Sequence, residues 1–357
     1  MNRYMKKSLE VKYPVITAYP RHAYNLAIIG TMENSSPWIF SNYLQLRCHT
    51  KSLHDKFIYA DWFEFDSYNP MLDDNPLLYY QIIYRDLILK YRENIVDFTI
   101  EWINEGYYFC THLNELHVPN TRAYQFRDFP HSNLIFGYDK DQSNFDIAYF
   151  DKDGKLAFGK IGFEDYSNAF HTLEVSQDYL KYNYLVKPRD IFEFKYDIKM
   201  NLQSFKDYIN GSRPVDLHYD RYRMFGMDVK EFDFGMDVYA NLITYTTYLE
   251  TSDIVYDIRP FHILFEHKSC LKNHLLYMKK LNLLENYELL ENMMGEVEDK
   301  TKKLRNLFLK IAFFHLQTEI TDLKGIEKIR ERLINLKDVE VAFFESLIEQ
   351  LSKSVRV

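Results

Sequence analysis

The sequence predicts an α+β protein with an antiparallel sheet in its first half and a mainly helical C-terminal region. Three observations carry this. Residues 134–161 hold three closely spaced apolar or alternating runs, the signature of consecutive short strands. Helical spacing flanks them at residues 21–30, 95–103 and 163–173. From Asn201 onward strand-like runs largely disappear and long apolar helical stripes take over. The chain of 357 residues is long enough for two ordinary domains, and the change in pattern places them at 1–199 and 200–357.

Within the sheet region, residues 134–138 are nearly all apolar, as in a strand covered on both faces. Phe145, Ile147 and Tyr149 then alternate with Asp146 and Ala148, and Asp151 shares their parity. Asp153-Gly154 favours a tight turn into a third strand at 156–161. Before this core, residues 1–20 read as extended. A helix opens after Pro20, and a second after Ser35-Ser36-Pro37 with Pro37 in its first turn. Residues 57–65 read as a strand, 68–76 as a loop, 77–91 and 95–103 as helices, and 107–113 as a strand. After the core come a helix at 163–173 and a strand at 192–198. Helices are expected at 236–249 and 260–281. Two further stripes follow, Leu304, Leu307, Phe308, Ile311 and Phe314, then Ile326, Ile329, Leu333 and Leu336, with Asp322 capping the latter helix. The FGMDV at 225–229 and 234–238 is too short to mark a repeat.

Composition narrows the classes of function. The hydrophobic fraction is 46%, with 30 Tyr and 27 Phe, so well-filled cores are expected rather than disorder. A net charge of −8 leaves no dominant basic face for a phosphate backbone, so nucleic acid is not an expected partner. Cys48, Cys110 and Cys270 are too few and scattered for a disulfide framework, which points to a reducing, cytoplasmic setting. No apolar segment follows the basic N-terminal residues, and no window is long and apolar enough to span a bilayer. Neither a signal peptide nor a membrane partner is expected.

Candidate chemistry centres on two strand ends. His131 enters the first core strand and Asp151 leaves the second, so a His and an Asp come together as in two thirds of a nucleophilic triad. Two groupings have metal-like composition. His112, Glu115 and His117 lie close in sequence but leave a strand, and read as a polar loop edge. His267, Cys270 and His274 share one helix face, and read better as an interface than as zinc ligands. Neither is taken as a metal site, and without a phosphate-binding glycine loop or dinucleotide fingerprint no cofactor is expected. The aromatic clusters at 79–80, 107–109 and 219–225 read first as core and rim, though Tyr-rich walls also suit a groove for a peptide or acyl chain.

An early helix, the strand GYYFCTHLNEL, a long loop and HSNLIFGYD…FDIAYFD together resemble a papain-like cysteine-peptidase domain. More narrowly, residues 14–175 resemble the N-terminal domain of the butirosin biosynthesis protein H family, acyltransferase-like bacterial proteins of peptide, polyketide and aminoglycoside antibiotic pathways. The resemblance implies that His131 is the general base, that Asp151 orients it, and that a nucleophilic Cys begins the first helix. That window here contains His22, Ala23 and Asn25 and no Cys, Ser or Thr, so the acyl-enzyme route is closed.

The resemblance therefore implies an acyltransferase-like or accessory protein of a peptide-type natural-product pathway, binding a carrier-linked or peptidyl intermediate near His131. In that reading the incoming amine is the nucleophile. The alternative is a pseudoenzyme that keeps the fold and acts as a binding or scaffold protein. A homodimer through the C-terminal helices is compatible with both.

Overall fold

The computed structural model describes residues 5–56, 62–66, 75–92, 94–189, 194–212, 229–251 and 254–355. It divides into two compact units, one of Met1–Ser35 with Asn69–Glu193, the other of Ser36–Tyr68 with Phe194–Val357. The division expected at residue 199 differs from this in two respects, the smaller being that the later boundary falls after Glu193. Residues 36–68 belong with the C-terminal unit, because strand β2 (Leu46–His49) pairs there with β10 (Phe232–Phe234). A pairing across so long a loop leaves no local trace in the sequence.

The first unit is built on an antiparallel sheet in the order β4-β9-β5-β6-β7-β8. Its strands are β4 (Leu78–Tyr84), β5 (Tyr108–Asn114), β6 (Pro130–Asp139), β7 (Asn144–Phe150), β8 (Leu156–Gly162) and β9 (Tyr182–Pro188). The expected three-strand core is present as β6, β7 and β8, and Leu134, Ile135 and Tyr138 are fully buried. Short β1 (Lys6–Ser8) extends the pairing of β6 beyond the end of β5, with Ser8 opposite Gly137. The close approach explains that glycine: a Cβ there would lie 2.9 Å from Ser8 Cα.

Two expectations fail here. Residues 77–91 are not one helix but β4 followed by the short helix α4 (Arg85–Tyr91). The run Leu-Tyr-Tyr-Gln-Ile-Ile-Tyr is rich in aromatic and β-branched side chains, which fit a pleated surface, and β9 gives it a partner. The strand expected at 192–198 is absent over its described part: residues 194–197 carry no regular element and Ile198 opens a helix, while 192–193 fall outside the described residues; β9 itself was not expected.

Helices α5 (Ile95–Asn104) and α6 (Phe163–His171) cover one face of this sheet. Asn94 caps α5 by accepting from Val96 N at 2.9 Å. The layer beneath is aromatic and aliphatic: Phe98, Ile103, Phe109, Ile135, Phe145 and Tyr166. Helix α1 (Pro20–Ile29), with Pro in its first turn, approaches β6 through Tyr24, and the Tyr108 hydroxyl of β5 donates to the carbonyl of Glu10 at 2.5 Å. Strand alternation puts Tyr108 on the face opposite Phe109, so the leading segment covers what α5 and α6 do not.

The second unit joins a three-stranded sheet, β10-β2-β3 with β3 at Phe63–Phe65, to long helices. These are α7 (Ile198–Ile209), α8 (Val238–Glu250), α9 (Arg259–Lys280), α10 (Tyr287–Thr318) and α11 (Leu323–Ser354); short α2 (Ser36–Asn42) and α3 (Thr50–His54) precede them. Asp322 caps α11 as expected, accepting from Gly325 N at 3.0 Å. Of the expected stripes, Leu304, Phe308, Ile311, Ile326, Ile329, Leu333 and Leu336 are buried, whereas Phe314 is exposed near the end of α10. Among the described residues no helix is long and apolar enough to cross a membrane.

Candidate functional site

His131 stands at the start of β6, opposite Leu113 of β5. Two residues beyond Leu113 the chain enters a single turn, Glu115–His117, and there Glu115 is brought beside Nδ1 of the His131 ring. Nδ1 of His131 lies 2.8 Å from Glu115 Oε1. The carboxylate sits off the line of a straight ring N–H···O bond, so this is a close electrostatic approach rather than a directed hydrogen bond. The His131 side chain is 26% exposed and that of Glu115 5%. Nε2 of His131 makes no hydrogen bond or ion pair among the described residues. One nitrogen thus faces a buried carboxylate, and the other is left to whatever enters.

Asn114 makes this geometry local. Its side-chain oxygen accepts from Leu116 N and from Phe129 N, both at 3.2 Å, and its amide donates to Asp128 at 2.6 Å. Glu115 N in turn donates to Phe129 O at 2.8 Å. One side chain therefore pins both ends of the loop between β5 and β6, and with them the Glu115–His131 approach. Phe129 and Phe150 flank the imidazole, with ring centroids at 5.8 and 5.6 Å.

The expected orienting residue is corrected. Asp151 does not hold His131; no hydrogen bond or ion pair joins the two among the described residues. Its Oδ1 instead accepts from Asp153 N and Lys155 N, each at 2.9 Å. This is the ordinary use of a short carboxylate beside a turn, where it reaches backbone N–H groups a few residues ahead. Gly154, at φ +73°, completes the turn. Glu115 was legible in sequence only as part of a metal-like grouping. Its parity with Leu113, and the pairing of β5 with β6, are the signals that connect it to His131.

Helix α1 brings the nucleophile window to the same strand. His22, Ala23 and Asn25 are all buried. Asn25 donates to Arg21 O and accepts from the Tyr80 hydroxyl, both at 2.8 Å, so it serves the helix and β4. The residue that reaches β6 is Tyr24, whose hydroxyl donates to Ser132 O at 2.7 Å and whose ring lies 6.3 Å from Phe150. Burial, with Cys110 and Glu115 nearby, pushes its phenol well above the usual range, so it is a poor nucleophile at neutral pH. Cys110, on the strand paired with β6, has its Sγ 3.7 Å from Ser132 Oγ. Part of its surface is accessible, yet desolvation dominates and pushes the thiol up to about 11, with the Ser132 hydrogen bond opposing. At pH 7 that leaves about one thiolate in ten thousand.

The two metal-like groupings disperse. His112 projects from β5 against Tyr179, at 5.4 Å, and its burial with the cation of Arg85 lowers it to about 4. His117 follows Glu115 in the turn. In the second unit, His267 Nε2 donates to Leu44 O at 2.6 Å. Its bare Nδ1 accepts from Lys268 Nζ at 3.0 Å. His274, held near 3 by burial, is neutral; it accepts from the Tyr196 hydroxyl at 2.7 Å and stacks on Phe40. Cys270 is buried. Among the described residues no group of three metal-ligating side chains converges.

Beside His267 lies a feature that sequence reasoning missed altogether. Lys268 and Glu340 form an ion pair in which both side chains are wholly buried. Lys268 uses its three donors on Glu340, His267 and the Tyr208 oxygen. Glu340 also accepts from Tyr208 at 2.9 Å and from Tyr239. The network ties α7, α8, α9 and α11, and every proton of the ammonium is used. Compared with known proteins, the chain matches no family model and no curated protein.

Proposed function

We propose that the first unit is an acyl-transfer domain of papain-like type in which His131, backed by Glu115, accepts a proton from an incoming amine. The observation that carries this reading is the His131–Glu115 pair. A buried carboxylate stabilises the imidazolium that forms when the opposite nitrogen takes up a proton. The likeness to the butirosin biosynthesis protein H family supplies the substrate class, a carrier-linked or peptidyl thioester of a natural-product pathway, with Glu115 in the role expected of Asp151.

With no thiolate or activated hydroxyl in the window of α1, the reaction is direct aminolysis. The amine nitrogen attacks the thioester carbonyl, its proton passes to His131 Nε2, and the C–S bond breaks. The departing sulfur takes the proton from His131 as the amide forms. Proximity and deprotonation supply the acceleration. A second reading, binding without catalysis, draws on the Phe129 and Phe150 rings that flank the imidazole. Replacing His131 by Ala separates the two. Aminolysis of an N-acetylcysteamine thioester by a panel of amines should fall on the order of 100-fold in the variant. Unchanged turnover with intact folding would leave only the binding reading.

A further inference from the structure

The small sheet of the second unit carries a side-chain constellation that the proposed function does not use. His49 ends β2, and pairing with β10 sets it opposite Phe232. The turn before β10 holds Glu231, whose Oε2 lies 3.3 Å from His49 Nε2. On the other side of the ring, His49 Nδ1 is hydrogen-bonded to Ser52 Oγ of α3. An ionised carboxylate only accepts, so Nε2 carries the ring proton and the bare Nδ1 accepts from the serine hydroxyl. Hydroxyl, imidazole and carboxylate are then connected in the order that activates a nucleophile.

Three further features favour a working arrangement over a chance surface contact. His49 and Glu231 side chains are 23% and 36% exposed, so a substrate can reach them. The ring is held from several directions: Phe232 packs on it at 4.6 Å, His49 N donates to Trp62 O at 2.7 Å, and Thr50 Oγ1 donates to Glu231 O at 2.8 Å. Lys51 Nζ, 3.7 Å from Glu231 Oε1, keeps that carboxylate beside a cation. Neighbouring Cys48 is no competitor, because burial first and Asp233 second push its thiol well above the usual range.

We infer that Ser52, His49 and Glu231 form a serine-nucleophile site that hydrolyses activated esters or thioesters, separate from the His131 pair. Ser52 Oγ attacks the carbonyl carbon while its proton passes to His49 Nδ1. The bond to the leaving oxygen or sulfur breaks, and His49 returns the proton to it. Water then attacks the acyl-serine, gives a proton to His49, and the Ser52 oxygen leaves and regains it. The sum is ester plus water to acid plus alcohol, or thiol for a thioester, with no other reactant.

The test uses the full chain and a fluorophosphonate, which reacts covalently with an activated serine, followed by peptide mapping and by hydrolysis of p-nitrophenyl acetate. Labelling should map to Ser52 and vanish in Ser52→Ala. Its rate should fall on the order of 100-fold in His49→Gln and about tenfold in Glu231→Gln. Ser52→Cys, checked with the others for an unchanged thermal transition, should instead become reactive to iodoacetamide in a His49-dependent way. Two results would overturn the proposal: no label on Ser52 in a folded chain, or labelling equally fast with and without His49.

Discussion

The two units treat a carboxylate paired with a nitrogen base in opposite ways. Glu115 approaches His131 at a strand end where the imidazole keeps 26% of its surface. Glu340 and Lys268 meet where neither side chain is accessible at all. The first pair leaves one ring nitrogen without a protein partner among the described residues. The second uses every donor of the ammonium and closes through Tyr208, Tyr239 and His267. Openness with one unspent valence suits chemistry on a ligand; closure suits the fixing of one helix arrangement. The lesson is that the more elaborate polar network is the structural one, and the simpler pair is the candidate for function.

The sharpest way to break this contrast is to remove the buried cation. Lys268→Met should destabilise the chain by about 3–5 kcal/mol in urea unfolding, because it leaves Glu340 charged, buried and uncompensated. Adding Glu340→Gln should recover a large part of that cost. A small effect of the single variant would mean that the carboxylate reaches water.

Acid offers a second probe. The unfolded chain protonates a His near its ordinary 6.5, whereas folded His112 does so only near 4. Between these values the unfolded state holds more protons, so stability falls as pH falls. At about 1.4 kcal/mol per unit the loss approaches about 3 kcal/mol. The slope between pH 6.5 and 4 should be shallower in His112→Gln. An identical slope would contradict the assignment.

Smaller effects follow. Tyr239→Phe removes one donor to a buried carboxylate and should cost about 1.5–3 kcal/mol. Glu115→Gln, by contrast, should cost less than about 1.5 kcal/mol, because the amide keeps the shape of the buried side chain and the partner ring stays 26% exposed to water, while lowering the thioester aminolysis of the first unit. If Glu115→Gln destabilised the chain as much as Tyr239→Phe, the distinction between the two regions would fail.

Local chemistry was legible in the sequence, and distant pairing was not. The β6–β8 core announces itself because apolar runs, alternation and an Asp-Gly turn are all short-range signals. The caps at Asn94 and Asp322 act within one turn of their helices; that of Asp322 was expected, that of Asn94 was not. Strand β4 was misread because an aromatic, β-branched run carries helical spacing equally well, and only its partner β9 decides. His131 was the candidate base from the sequence, but its partner was sought on the following strand. Asp151 had the right chemistry and parity, yet backbone amides of its own turn reached it first. Glu115 lies on the preceding strand's exit, a position that requires knowing that β5 pairs with β6. Glu340 and Lys268 stand 72 residues apart, and no periodicity links them.

The most direct test of the central claim is the reactivity of each histidine toward diethyl pyrocarbonate, which acylates an accessible, uncharged imidazole nitrogen, mapped peptide by peptide. His131 should be modified rapidly, while His112, His267 and His274 stay protected until the chain unfolds. Modification of His131 no faster than of His267 would contradict the account, because its second nitrogen would then be closed to any incoming amine.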